Sequence, residues 1–84
     1  MKLYGSPLCP DCVDAVEVLD GAGIPYDYHS ITESLADLKA FLALRDSRPE
    51  FDEAKESGLI GIPAFLMEDG SLTLDTDEVV NKEK

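Results

Sequence analysis

Lys2-Leu3-Tyr4 is a short apolar segment closed by Gly5-Ser6-Pro7, the pattern of a strand running into a loop. From Cys9 to Gly21 the period becomes helical. Val13, Val16 and Leu19 recur at i, i+3 and i+6 with Ala15 and Ala22 beside them, while Asp11, Asp14 and Glu17 line the other side. Pro10 suits the first helical turn, where its missing N–H costs nothing, and Gly21 and Gly23 stop the helix. Ile24-Pro25-Tyr26-Asp27-Tyr28-His29 alternates, which predicts a second strand with Ile24, Tyr26 and Tyr28 on one face and His29 on the other.

Ser30-x-x-Glu33 fits a capping box, and Leu35, Leu38, Phe41 and Leu42 form the apolar stripe of the next helix. Arg45-Asp46-Ser47-Arg48-Pro49 interrupts that stripe. Ser47-x-x-Glu50 predicts a second helix start, with Phe51 and Ala54 inward and Gly58 as the stop. One bent helical layer, or two short helices, therefore covers 33–57. Ala64 to Met67 is a strand, Glu68-Asp69-Gly70-Ser71 a tight turn, and Ser71 to Leu74 the return strand. Asp75 to Lys84 predicts a short last helix, with Asp75-x-x-Glu78 as its cap pattern and a fraying end at Asn81 to Lys84. The sum is an α/β chain of order β-α-β-α-β-β-(α), a small four-stranded mixed sheet with helices packed on it. Its first two strands are parallel across a right-handed crossover.

Composition narrows the function. The 84 residues imply a single domain over 1–84 with a modest core. No apolar run approaches the roughly 18 residues that span a membrane. Met1 to Gly5 lacks the long apolar region of a signal peptide, so the expected address is the cytoplasm. The net charge of −11 argues against nucleic acid and anionic membranes, and favours solubility or steering towards a basic partner protein.

Cys9-Pro10-Asp11-Cys12 carries the chemistry. The two cysteines are the only ones in the chain, and the spacing puts them one helical turn apart, within the roughly 4.4–6.8 Å between Cα atoms that a disulfide tolerates. A thiolate is the nucleophile of disulfide exchange, and unpaired N–H groups at a helix N-terminus favour it. Cys9 is therefore the expected attacker, and Cys12, deeper in the helix, the resolver. Asp11 opposes the helix dipole beside Cys9. A zinc site would need two further ligands, and His29 is the one neutral candidate, so no metal is expected.

Tyr4-Gly5-Ser6-Pro7-Leu8-Cys9-Pro10-Asp11-Cys12, followed by Gly61-Ile62-Pro63 ahead of a strand, resembles the glutaredoxin family of the thioredoxin fold. The likeness extends over nearly the whole element order. It implies helices on both faces of the sheet and a redox-active Cys9–Cys12 pair. It also implies a cis Pro63 opposite the nucleophile, with the Ile62 backbone pairing with the incoming thiol substrate. Pro10, Asp11, Ile62, Pro63 and Asp77 become the expected substrate contacts. The implied activity is thiol–disulfide oxidoreduction on protein disulfides or glutathione mixed disulfides. No bound cofactor is implied, and glutathione is the reductant or co-substrate. The chain also departs from the family pattern. Asp11 stands where many members carry Tyr, Gly5-Ser6-Pro7-Leu8 stands where many carry a Lys a few residues before the motif, and Gly61 stands where Thr is frequent. Leu74-Asp75 replaces a Gly-Gly pair ahead of an acidic pair at Asp77-Glu78. Arg45 and Arg48 are the candidate substitutes for the absent cation. Two non-catalytic readings share the fold, a redox-sensing adaptor for a basic partner and an iron–sulfur carrier. The carrier relatives usually have one motif cysteine and a basic site, where this chain has Cys12 and Asp11.

Overall fold

The computed structural model describes residues 1–83. Its elements are β1 (Lys2–Gly5), α1 (Pro10–Gly21), β2 (Asp27–Ser30), α2 (Leu35–Ser47), a 3₁₀ turn (Pro49–Phe51), α3 (Asp52–Glu56), β3 (Ala64–Leu66), β4 (Leu72–Thr73) and α4 (Thr76–Glu83). The sheet runs β2-β1-β3-β4, with β1 parallel to β2 and the β1–β3 and β3–β4 pairs antiparallel. No helix among the described residues is long and apolar enough to cross a membrane.

Strand alternation builds two cores from one sheet. Leu3 and its cross-strand partner Phe65 face α1 and α4, meeting Ala15, Leu19 and Val79. Tyr4 and its partner Ala64 face the other way, meeting Ile31, Phe41 and Phe51. On that second face the Phe41 and Phe51 rings pack edge to face at 5.6 Å, joining α2 to the 3₁₀ turn. Helices thus lie on both faces, as expected of the thioredoxin fold.

Several predicted details shift. The buried positions of α1 are Cys12, Ala15 and Leu19, with Val16 partly buried; Val13 is 43% exposed and Ala22 is outside. The sheet-facing position one turn ahead of Ala15 and Val16 is filled by Cys12 and not by Val13, since free cysteine packs as a small hydrophobe. β2 begins at Asp27, whose N–H donates to the Met1 carbonyl; Ile24 is buried ahead of the strand. The faces nevertheless fall as predicted, with Ile24, Tyr26 and Tyr28 on the α1 side and His29 opposite. His29 stacks on Tyr4 at 5.2 Å and holds Asp37 and Asp27 at 2.8 and 3.1 Å, a structural role between strand and helix.

The α2 cap is Ser34, not Ser30, which is paired in β2. Ser34 Oγ accepts from the Asp37 N–H at 3.2 Å. With the start moved, Leu35 lies in the open first turn and is 75% exposed, and Leu42 is 40% exposed; Leu38, Phe41 and Leu44 carry the inward stripe. Ser47 caps nothing: its hydroxyl donates back to the Ala43 carbonyl, and Arg48 precedes the 3₁₀ turn. Phe51 and Ala54 are buried as expected. At α4, Asp75 accepts from the Asp77 N–H, but Glu78 accepts from Thr73 Oγ1 and does not close the box. The predicted fraying end includes Lys84, which lies outside the described residues.

Ser34→Ala should lower stability by about 1 kcal/mol through loss of the cap. Ser47→Ala should change it by less than about 0.5 kcal/mol. Urea unfolding of both variants checks the assignment.

Candidate active site

β1 ends at Gly5 and a tight loop carries the chain to Cys9, with the Cys9 N–H donating to the Ser6 carbonyl at 3.1 Å. Ser6 is buried, and its hydroxyl bonds Thr32 Oγ1 at 2.8 Å and accepts from the Leu8 N–H. The loop is thereby tied to the segment after β2. Cys9 is the N-cap of α1, extended at φ −98° and ψ 117°, with Pro10 at the first helical position. The Cys9 carbonyl accepts from the Cys12 and Val13 N–H groups, while no side chain caps the helix. The end therefore presents positive dipole to the Cys9 sulfur, which is partly exposed.

Cys12 has no exposed surface. Both thiols are free. Burial pushes the Cys12 thiol up from its ordinary value near 9.0 to about 12; a backbone hydrogen bond from Ser6 acts against this, while Cys9 and Asp11 add to it. A Cβ on Gly5 would lie 3.0 Å from Cys12 Sγ and 3.3 Å from the Tyr28 hydroxyl. The sulfur thus packs on bare backbone, with a phenol beside it. Tyr28 was missed as a neighbour of the dithiol, since its strand pattern marked only a packing face. Its hydroxyl is pushed up by burial and by the adjacent Cys12 and Cys9 sulfurs.

In front of Cys9 lies a groove of about 1050 Å³. Of the residues expected at the site, Cys9, Asp11, Ile62, Pro63 and Asp77 all line it; Cys12 lies behind, and Pro10 is exposed outside the lining. The Ile62–Pro63 bond is cis. Neither the N–H nor the carbonyl of Ile62 enters a backbone hydrogen bond among the described residues. Glu78 is turned to Thr73, so Asp77 alone remains of the acidic pair. Arg45 and Arg48 do not replace the absent cation. Arg45 donates to the Leu59 and Ile60 carbonyls at 2.8 Å, and Arg48 to Glu50 and the Gly70 carbonyl. Among the described residues no group of three or more His, Cys, Asp or Glu gathers as metal ligands.

The glutaredoxin family model matches residues 1–51, which include both cysteines. The chain belongs to the glutaredoxin family. The match stops short of Ile62 and Pro63, which line the same groove as Cys9. An uncharacterized protein of Haemophilus influenzae is 43% identical over 77 residues, 92% of this chain and 90% of that one. No solved structure matches.

Gly61 explains one departure of this glutaredoxin from the frequent Thr. Its φ is +97°, and a Cβ would meet Phe51 Cδ1 at 2.8 Å. Gly61→Ala should cost about 2–4 kcal/mol, from backbone strain and overpacking together, measured by urea unfolding.

The Cys12 thiol also sets a pH dependence. Below about pH 9 it is protonated in folded and unfolded chains alike; from there to about 12 the unfolded chain ionises and the folded one resists. Its contribution is fully present below the unfolded value and is lost as pH rises through the folded one. The reduced protein should lose more stability between about pH 8 and about pH 10.5 than Cys12→Ser does, in paired urea titrations.

Proposed function

We propose that this protein is a dithiol thiol–disulfide oxidoreductase in which Cys9 attacks and Cys12 resolves. The observation that carries this is the unequal placing of the two sulfurs. One is accessible at an uncapped helix N-terminus, and the other is fully buried one turn further in.

The Cys9 thiolate attacks one sulfur of a substrate disulfide R–S–S–R′. The Cys9–S bond forms, the S–S bond breaks, and R′S⁻ leaves to take a proton. The Ile62 backbone, with neither of its polar groups engaged, aligns the substrate chain by strand-like hydrogen bonds. Cys12 then gives up its proton and attacks the Cys9 sulfur. The Cys9–Cys12 disulfide forms and RS⁻ leaves. Two electrons have passed from the dithiol to the substrate. Burial keeps the Cys12 thiol protonated at rest, so its proton leaves only as it attacks. An external thiol returns the pair to its reduced state; glutathione is the reductant that family membership suggests, and a thioredoxin-type reductase is the other donor.

Turnover of bis(2-hydroxyethyl) disulfide should be measured with glutathione and with a thioredoxin-type reductase as donors. Cys9→Ser should lose all turnover. Cys12→Ser should accumulate a covalent adduct on Cys9, visible by intact mass. Absence of turnover with both donors would overturn the assignment.

A further inference from the structure

The walls of the groove around Cys9 select by charge and by apolar surface. Its charged lining residues are Asp11, Asp14, Asp75 and Asp77; Lys, Arg and His are absent from the lining. None of the four carboxylates enters an ion pair among the described residues. The two arginines considered as substitutes for the absent cation are committed elsewhere, Arg45 to the Leu59 and Ile60 carbonyls and Arg48 to Glu50. Between the carboxylates the walls are apolar and open to solvent: Leu8 is 81% exposed, Leu59 60% and Ile60 57%.

These features place opposite demands on the two kinds of disulfide that could reach Cys9. Glutathione brings two carboxylates, which would meet only like charge here. A polypeptide brings backbone that can pair with the free edge at Ile62, and side chains that can cover Leu8, Leu59 and Ile60. A volume of about 1050 Å³ is at the upper end for small-molecule sites and has room for a stretch of extended chain. Lys or Arg on that chain would satisfy the unpaired carboxylates.

We infer that the preferred substrate is a protein disulfide whose cysteine lies in an extended, basic segment carrying an apolar residue, and that glutathione mixed disulfides are poor substrates. This rests on the dithiol reading above. The chemistry is the same two-step exchange. What the groove adds is the choice of R in R–S–S–R′, made by acidic and apolar walls before the first sulfur–sulfur bond breaks.

The test uses the full reduced protein and four disulfides with 2-mercaptoethanol as the common leaving group. They are bis(2-hydroxyethyl) disulfide, the glutathione mixed disulfide, and two synthetic peptides that differ only in Lys or Glu around a Leu-flanked cysteine. Each rate is divided by that of the same disulfide with dithiothreitol, which removes differences in intrinsic reactivity. The Lys peptide should exceed the Glu peptide and the glutathione mixed disulfide by about tenfold or more at low ionic strength. The preference should shrink to about threefold at high salt, because the attraction is screened. The double variant Asp14→Asn, Asp77→Asn should reduce the Lys-to-Glu ratio by about threefold or more. Lys and Glu peptides within about twofold of each other, or glutathione faster than the Lys peptide, would overturn the inference while leaving the dithiol chemistry standing. No reaction with bis(2-hydroxyethyl) disulfide would overturn the dithiol chemistry itself.

Discussion

Contact between the Cys12 sulfur and the bare backbone of Gly5 governs the site. A side chain on Gly5 would stand 3.0 Å from that sulfur, so α1 can approach β1 this closely only because Gly5 has none. The approach removes Cys12 from solvent and leaves Cys9, at the end of the same helix, partly outside. Burial of a neutral thiol costs little, whereas burial of its anion costs a great deal. One packing contact therefore divides two chemically identical side chains into an accessible thiol and a buried one. Helix, loop and first strand are arranged around that division, with Ser6 and Thr32 holding the loop in place.

The remainder of the site is assembled from distant sequence. Cys9 comes from the β1–α1 loop, Ile62 and Pro63 from the segment before β3, and Asp77 from α4. β1 lies between β2 and β3, so its C-terminal end adjoins the start of β3 and the two loops face each other. The antiparallel Tyr4–Ala64 pairing is what brings residues near 9 to residues near 62. Sheet topology, more than any single side chain, creates the groove.

Strand alternation and turn chemistry were strong enough to make the element order, the parallel first pair, the hairpin and the deeper burial of the second cysteine legible in the sequence. The faces of Tyr28 and His29 followed from a period of two. Helix details were less legible. Val13 and Leu35 match apolar stripes but lie outside, because a stripe fixes a helix face only to within one side chain, and the sheet decides which neighbour turns inward. Ser30 offered cap chemistry, but strand pairing claimed it and Ser34 caps α2 instead. Arg45 and Arg48 were visible as charges, but their partners are carbonyls and a carboxylate whose positions depend on tertiary structure. The acidic character of the groove likewise needed the fold, since Asp11 and Asp14 are far from Asp75 and Asp77 in the chain.

Arg45 shows how far the apolar wall depends on a residue remote from the sulfur chemistry. Its guanidinium fork fills two carbonyls, of Leu59 and Ile60, at once. Lysine carries the same charge but has no planar fork, and it cannot reproduce that pair of parallel bonds. The last turn of α2 thus acts as a mooring for the segment that borders the groove. What this position demands is shape as well as charge, although the residue is far from either cysteine in the chain. A substitution conservative in electrostatic terms would set the wall adrift while leaving the dithiol intact.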